Sequence, residues 1–260
     1  MGSIPVSVTE KMNKIFRTPK LQMIIFLLLL SISAIIHYSF ISYLQAFLVA
    51  LVSTIMFDLA FLRLRKVALF FPYSAIITGV IIGLIASPYL SWYQLIITAG
   101  LAMFSKNYLL FKNRHIFNPA AFGLFFSHLI FSNTISWWAV SWQQLNVQNL
   151  SAIIYILILL LPGLVSIVRM RRFVNILAFY ITYALLNQTI FDPTAIFFAF
   201  VMLPEPMTTP SKRTDQFLFG ISIAVLSFII RFPLPDVFTP VLLLGNLIFI
   251  TIKVKSRMNI

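Results

Sequence analysis

Long apolar segments fill most of this sequence and determine which class of protein it can form. Stretches such as "LQMIIFLLLLSISAII" and "SAIIYILILLLPGLVSIV" are long and do not alternate polar and apolar residues with a period of two. Of the 260 residues, 60% are hydrophobic and 10% are charged, whereas soluble domains carry about 25% charged residues. No soluble fold buries that much apolar surface. We therefore expect an all-α polytopic membrane protein in the lipid bilayer, not a β-barrel.

The apolar segments predict ten membrane spans, with ends placed to within a few residues. Short polar, basic or proline-containing segments separate them. The predicted spans are residues 21–37, 41–62, 67–87, 91–111, 116–133, 151–168, 173–188, 190–204, 216–231 and 236–252.

The basic residues predict the orientation of these spans. The formal net charge is +13, and with a cytoplasmic N-terminus every Lys and Arg except Arg231 falls on the cytoplasmic side. The loop at 134–150 has no basic residue, and its Trp137, Trp138 and Trp142 suit an interfacial aromatic belt. We therefore interpret the charge as a topology signal and expect no nucleic-acid partner. The prediction is a multi-pass protein of the cell (plasma) membrane with both termini in the cytoplasm.

Two pairs of similar segments indicate an internal duplication. "FPYSAII" at 71–77 resembles "FDPTAIF" at 191–197, and "IFNPAAFGL" at 116–124 resembles "VFTPVLLLG" at 237–245. The offsets are 120 residues (Ser74 to Thr194) and 121 residues (Pro119 to Pro240). Because each copy has an odd number of spans, the second enters from the opposite side, which makes an inverted repeat. The predicted parts are a basic tail (1–20), a first five-helix repeat (21–133), an extracytoplasmic loop (134–150) and a second five-helix repeat (151–255).

Two spans carry signs of broken or re-entrant helices. Asp192-Pro193-Thr194 has the cap and proline of a helix start, and Pro72-Tyr73-Ser74 is similar. Helix N-termini inside the bilayer offer free N–H groups and partial positive charge to a ligand. The alternative is two ordinary kinks whose hydroxyls bond back to the preceding turn.

Two further polar segments are candidates for a ligand site. "FVMLPEPMTTPSKR" at 200–213 contains too many prolines for a regular helix, so it either forms a rigid turn with a solvated Glu205 or folds back to line a cavity. Asn118 and Pro119 suit a helix cap and first turn, and Asn118 could also contact a flat, hydrogen-bonding ligand. Asp58 and Asp192 are intramembrane acids, and Asp58 is expected to pair with Arg63 or Arg65.

Other kinds of site find little support. The sequence contains no Cys, which excludes disulfides and Cys-ligated iron–sulfur clusters. His115 and His128 are about 20 Å apart along one predicted helix, too far to ligate one haem iron. No nucleophile–base pair, phosphate loop or metal-ligand cluster is recognisable. If the chain takes part in catalysis, we expect it to be at most a subunit of a membrane oxidoreductase.

Several of these segments resemble one family of membrane proteins, the RnfD/NqrB family. "PYSAIITGVIIGLIASP" (72–88) looks like the "GSALVTGLLLAL-P" segment of the D subunit of the Rnf electron-transport complex, whose relative is the B subunit of sodium-translocating NADH:quinone oxidoreductase. "RHIFNPAAFGL" (114–124) is similar to the family's "NIFNPAM-G", with Lys106 in the place of its preceding Lys. "FVMLPEPMTTP" (200–210) resembles "FMATDPVTSP". "GISIAVLSFIIR" (220–231) and "LLLGNLIFITI" (242–252) are similar to the segments that follow.

The resemblance implies ten spans in two inverted repeats and a bound flavin. The family's respiratory subunits also carry FMN on the Thr of an "SGAT"-type motif, which this sequence lacks. We therefore expect non-covalent FMN or riboflavin and no covalent FMN. The resemblance also implies partner redox subunits in or at the membrane. The predicted flavin-binding residues are Ser74, Thr78, Asn118, Pro119, Asp192, Thr194, Glu205, Thr208 and Thr209.

Three functions remain open from the sequence. The first is a membrane subunit that holds flavin and moves electrons across the bilayer. The second is a transporter or channel for a flavin or another small polar solute, which the missing FMN motif favours. The third is a membrane scaffold without a cofactor that supports partner subunits.

Overall fold

The computed structural model describes residues 18–38, 40–132, 134–141, 150–230 and 236–258. Predictions made for the tail at 1–17, for Trp142 and for Arg231 lie outside the described residues. Ten helices make up most of the described chain, together with one two-stranded hairpin. The elements are α1 (Pro19–His37), α2 (Phe40–Leu64), α3 (Tyr73–Ile85), α4 (Trp92–Tyr108), β1 (Leu110–Phe111), β2 (Arg114–His115), α5 (Pro119–Phe131), α6 (Leu150–Leu164, continued as a π-helix over Val165–Arg169), α7 (Phe173–Asn187), α8 (Pro193–Phe197, continued as a π-helix over Phe198–Met202), α9 (Arg213–Ile230) and α10 (Phe238–Met258).

The helices confirm the all-α polytopic membrane class. Three of them are long and apolar enough to cross a bilayer by length and composition: α1, residues Ile41–Leu64 of α2, and α9. Most of the other helices are shorter but also apolar. Large hydrophobic side chains such as Ile36, Leu185 and Ile229 are exposed on their outer faces. In a membrane protein those faces contact lipid.

Two helices are shorter than the spans predicted for them. The predicted span at 67–87 becomes α3 only from Tyr73, because Pro72 precedes the helix and residues 67–71 form an exposed non-helical lead-in. With 13 residues, α3 is about 20 Å long. The predicted span at 190–204 becomes α8, which begins at Pro193 behind the Asp192 cap. Both therefore have the interrupted form that the sequence indicated.

The order of helix packing repeats after five helices. In the first half α2 packs on α3 and α4, α1 packs on α3, and α4 packs on α5. In the second half α7 packs on α8 and α9, α6 packs on α8, and α9 packs on α10. Close approaches repeat as well: Gly100 of α4 faces Phe57 of α2, and Gly220 of α9, 120 residues later, faces Asn175 of α7. The two halves contact each other through two pairs of helices that occupy equivalent positions in the repeats. Helix α1 packs on α6, and α5 packs on α10.

Contacts between the connecting segments show that the two halves run in opposite directions. On one side, which we call the basic side, His115 before α5 bonds Glu205 after α8. On the other, which we call the aromatic side, Trp137 after α5 bonds Asp236 before α10. Helix α1 ends on the aromatic side, where Tyr38 stacks on Tyr43 and contacts Trp138. Helix α6 begins there, since Tyr155 near its start donates to Ala139 O. Equivalent helices are therefore inverted, as the odd number of spans predicted.

Candidate functional site

A proline-rich segment after α8, residues 203–211, forms the centre of the basic side. Its prolines have no N–H and prevent a regular helix. The carbonyl groups of the segment therefore need hydrogen-bond donors from other parts of the chain. Side chains of other helices and turns supply them. The bonds are Asn175 Nδ2 to Leu203 O (3.4 Å), Arg172 to Pro206 O (3.3 Å) and to Pro210 O, Asn246 Nδ2 to Thr208 O (3.2 Å) and Gln216 Nε2 to Ser211 O (3.1 Å).

One of these donors is a buried cation. Arg172 lies in the turn between α6 and α7 and is 5% exposed. Burial, with the charge of Arg114 nearby, lowers the pKa of its guanidinium. Arginine nevertheless keeps its proton at neutral pH. The positive charge of Arg172 is therefore held beside the carbonyls of the proline-rich segment and near Arg114.

The carboxylate of Glu205 is held by a histidine and a threonine. His115 Nε2 lies 2.8 Å from Glu205 Oε1, and Thr208 Oγ1 lies 3.3 Å from Oε2. Thr209 donates its hydroxyl to Glu205 O at 2.6 Å. The Glu205 side chain is 20% exposed, and Thr208 and Thr209 are buried. The segment forms turns that are folded back onto the helices, and Glu205 is held by side chains instead of being the solvated acid of the alternative.

Two buried asparagines, one from each repeat, connect this segment to the helix starts. Asn118 caps α5 by accepting from Ala121 N at 3.1 Å, with Pro119 in the first turn as predicted. Its amide nitrogen donates to Met202 O at 3.2 Å, at the end of α8. Asn246 of α10 accepts from Asn118 N at 3.0 Å. These bonds satisfy backbone groups where the lipid bilayer offers no water to form hydrogen bonds with them.

The hairpin β1–β2 places two cations beside this network. Phe111 pairs with Arg114, and the turn between them consists of Lys112 and Asn113. Both turn residues have positive φ, 50° and 63°, as a two-residue type I′ turn requires. The tight turn therefore places Lys112 and Arg114 on one short hairpin, and both line the same cavity.

A cavity of about 200 Å³ lies between the hairpin, the proline-rich segment and α10. Its charged lining is positive. Lys112 lies 5.5 Å from the ring centre of Phe111, and Lys253 lies 5.8 Å from that of Phe249. Below we call it the basic cavity. Its lining residues are Phe111, Lys112, Arg114, His115, Ile116, Met207, Thr208, Asn246, Phe249, Ile250 and Lys253. It can hold an anionic group with an apolar, flat neighbour.

The structure brings together only part of the predicted site. Asn118, Pro119, Glu205, Thr208 and Thr209 lie around the basic cavity and its supporting network. The other four predicted residues belong to the starts of two helices on opposite sides. Their binding to the same ligand stays a prediction.

Asp192 and Thr194 lie at the far end of α8, about 15 Å along the helix from the proline-rich segment. Asp192 accepts from Thr194 N (2.9 Å), Ala195 N (3.2 Å) and the Tyr183 hydroxyl (2.7 Å), so it serves as a helix cap. Ser74 and Thr78 belong to α3, which begins on the basic side. No hydrogen bond between described residues joins these four to Glu205 or Asn118.

The predicted pairing of Asp58 with Arg63 or Arg65 was wrong. Asp58 is fully buried on the face of α2 that packs on α4, and Lys106 Nζ lies 2.8 Å from its Oδ2. Asn107 Nδ2 donates to Oδ1 at 3.0 Å. Arg63 and Arg65 remain exposed at the end of α2. A residue five positions further along a helix points about 140° away, so Arg63 lies on a different face from Asp58.

Sequence reasoning missed the contributions of α10 and of the hairpin. Asn246 is a polar residue inside an apolar segment, which is by itself a signal of function or pairing. His115 was considered only as a haem ligand, and its contact with Glu205 joins residues 90 positions apart. Lys112, Arg114 and Lys253 were interpreted as topology signals alone. Their common cavity depends on the inverted packing of α5 against α10.

Comparison with known families gives the assignment. The sequence profile of the NQR2, RnfD, RnfE family matches residues 10–154, more than half of the chain. The chain belongs to this family. Its members are membrane subunits of electron-transport complexes with several subunits, which is consistent with redox partners in the membrane. No curated protein matches the chain.

The matched region contains the first repeat and the start of the second. It includes the "PYSAII" and "RHIFNPA" segments and therefore the hairpin and Asn118. The proline-rich segment, Asn246 and Lys253 lie beyond it. In this chain, the first repeat thus carries the pattern that the family profile matches, and the second repeat completes the cavity by packing.

Proposed function

We propose that this chain holds a flavin non-covalently in the basic cavity and passes electrons through it within a membrane electron-transport complex. The observation that supports this most directly is the convergence of Lys112 and Arg114 from the first repeat with Lys253 from the second on one cavity. A flavin would supply the electron-transfer chemistry, and the protein would position it and tune it.

The lining suits FMN better than riboflavin. Three cations favour a phosphate group, and arginine binds phosphate through two parallel N–H groups. Phe111 and Phe249 offer apolar ring faces, and Asn246 and Thr208 offer polar edges. The cavity volume of about 200 Å³ is below the 300–1,000 Å³ of pockets that enclose whole drug-sized ligands. We therefore place the phosphate end inside and the ring against the aromatic rim.

The basic side is the cytoplasmic side in this proposal. Described Lys and Arg residues such as Lys66, Lys112, Arg171 and Lys212 lie in its connecting segments, as the positive-inside rule requires of cytoplasmic segments. The flavin would then exchange electrons with a partner subunit at the cytoplasmic face of the plasma membrane. Both chain ends would be cytoplasmic as well.

Binding of FMN and riboflavin to the purified protein tests the proposal. We expect FMN to bind more tightly than riboflavin, and Lys112→Gln or Arg114→Gln to weaken FMN binding by about tenfold each while leaving riboflavin binding unchanged. Arg63→Gln, an exposed arginine on the same side outside the cavity, is the matched control and should change neither. Equal affinity for both flavins in all variants would contradict the phosphate assignment.

The transporter alternative is separated from electron transfer by vesicle uptake. We expect proteoliposomes containing the protein alone to bind flavin without accumulating it in their lumen. We also expect bound flavin to be bleached by an added reductant, as a redox cofactor must be. Concentration of flavin inside the vesicles would contradict the electron-transfer proposal and support transport.

A further inference from the structure

A second groove on the basic side lies apart from the basic cavity and shares no lining residue with it. It has a volume of about 690 Å³ and runs between the turn that joins α6 to α7 and the start of α9. Its polar lining consists of Arg171, Ser211, Arg213 and Gln216. Its other lining residues are apolar. The groove therefore combines a basic end with an apolar wall at the membrane edge.

The basic end carries two uncompensated positive charges. Arg171 and Arg213 are exposed, and neither forms an ion pair with a carboxylate among the described residues. Gln216 fixes the backbone around both by donating to Arg171 O (3.4 Å) and Ser211 O (3.1 Å). Arg171 also has a positive φ of 55°, a conformation that few non-glycine residues adopt. Arg171 is thus presented on a braced turn, and Arg213 is the first residue of α9.

The lining of the groove has a second, independent feature, the amide of Gln216. Gln216 is 2% exposed, and both bonds just described use its amide nitrogen. Its Oε1 is buried and has no hydrogen-bond partner in the described part of the chain. A buried acceptor without a donor is costly, so a donor from a bound molecule would be favourable there. A ligand with a hydroxyl or N–H group as well as negative charge therefore fits this lining.

The apolar wall points to a lipid. Ile167, Phe173 and Val174 line the groove, and Phe173 is half exposed. Two leucines deeper in the membrane are exposed too: Leu164, about one turn before Ile167 in α6, and Leu177, about one turn after Phe173 in α7. These side chains continue the apolar surface from the groove into the hydrocarbon region. A soluble anion would gain nothing from contact with this apolar surface, whereas an acyl chain can pack along it.

We propose that this groove binds one anionic phospholipid with a hydroxyl-bearing headgroup, such as phosphatidylglycerol. The guanidinium groups of Arg171 and Arg213 bind its phosphate, since basic pockets between membrane helices on the cytoplasmic side suit anionic headgroups. The headgroup hydroxyl donates to Gln216 Oε1. One acyl chain follows Phe173 and Val174. The site joins the start of α9 to the α6–α7 turn, and it does not depend on flavin binding.

Lipid retention measured by native mass spectrometry tests this site. The protein is delipidated in detergent and then offered phosphatidylglycerol, phosphatidylcholine or phosphatidylmethanol, which has the same charge as phosphatidylglycerol but no headgroup hydroxyl. We expect one tightly retained phosphatidylglycerol, weaker retention of phosphatidylmethanol and none of phosphatidylcholine. Equal retention of the three lipids would overturn the proposal. Water-soluble glycerophosphoglycerol should not displace the lipid, and displacement at equal concentration would show a soluble-anion site instead.

Variants locate the lipid on the protein. The double substitution Arg171→Gln/Arg213→Gln should weaken phosphatidylglycerol binding by roughly 30-fold, the combined effect expected of two arginines at an anionic headgroup. Both residues are exposed, so the size-exclusion profile should not change. Arg63→Gln/Arg65→Gln removes two exposed arginines from the same side and should leave binding unchanged. Equal loss in the two double variants would show a diffuse surface charge effect and overturn the assigned site.

Discussion

Single polar residues in this protein each satisfy several buried backbone groups. Asn118 is the clearest case, because its backbone nitrogen, its amide oxygen and its amide nitrogen all form hydrogen bonds. The sequence predicted its role as a helix cap and Pro119 as the first residue of α5. It gave no means of predicting Met202 and Asn246 as partners, since these lie in the second repeat. The local capping pattern therefore identified Asn118 and its role in α5, but not its contacts with the second repeat.

The first prediction concerns Asn118. Asn118→Ala should lower the free energy of unfolding by about 1 kcal/mol for the lost cap and by a further 1–3 kcal/mol for the unsatisfied Met202 carbonyl. Asn118→Ser keeps a capping oxygen but cannot reach Met202, so its effect should be intermediate. Thermal unfolding in detergent, followed by tryptophan fluorescence, checks the order. A melting temperature of Asn118→Ser equal to that of the unsubstituted protein would contradict the bond to Met202, and equal melting temperatures for the two variants would contradict the cap.

The second prediction concerns the buried pair of Asp58 and Lys106. Lys106→Met leaves an uncompensated carboxylate inside the protein and should destabilise it by about 3–5 kcal/mol. The double variant Asp58→Asn/Lys106→Met removes both charges and keeps an acceptor for Asn107. It should recover most of the lost stability in the same unfolding assay. A double variant as unstable as the single one would mean that the pair does not interact as the structure shows.

At the scale of helices, the short α3 and α8 depend on donors from elsewhere in the chain. The carbonyl groups at the end of α3 accept from Trp138 Nε1 at Gly83 O (2.9 Å) and from Trp137 N at Ile85 O (2.9 Å). The end of α8 is satisfied by Asn118 and Asn175. Proline and capping residues predicted where these helices begin. Their ends could not be predicted, because the donors are up to 84 positions away in the chain.

The third prediction uses the equivalent glycines of α4 and α9. A Cβ on Gly220 would lie 2.6 Å from the backbone oxygen of Asn175, whereas one on Gly100 would lie 3.3 Å from the Phe57 ring. Backbone cannot move aside as easily as a phenyl ring. Gly220→Ala should therefore lower the melting temperature clearly more than Gly100→Ala, despite the same chemical change. A larger loss for Gly100→Ala would argue against the close packing of α7 on α9.

For the whole molecule, the architecture was more predictable than the site. The long apolar segments predicted the number of helices, and the similarity between the segments around Ser74 and Thr194 indicated the duplication. The basic cavity combines the hairpin, the proline-rich segment and Lys253, which meet only because α5 of one repeat packs on α10 of the other. Such a meeting depends on tertiary packing that no local pattern encodes.

The fourth prediction tests the inverted orientation with single cysteines, which the cysteine-free sequence allows. Arg65→Cys and Lys212→Cys, on the basic side of the first and second repeats, should react with a membrane-impermeant maleimide only in inside-out vesicles. Tyr89→Cys and Thr189→Cys, on the aromatic side, should react only in right-side-out vesicles. All four positions are exposed. Labelling of Arg65→Cys and Lys212→Cys from opposite sides would exclude the inverted repeat.

A visible absorption spectrum tests most directly whether this protein binds a flavin without a covalent bond. The visible absorption spectrum is measured on the folded protein in mild detergent, supplemented with FMN and freed of excess, and again on the supernatant after acid precipitation. We predict stoichiometric oxidised-flavin bands in the folded sample, complete release into the supernatant and no flavin fluorescence in the precipitate. A folded protein that stays colourless after incubation with FMN would contradict the account, and flavin that remains on the precipitated chain would contradict non-covalent binding.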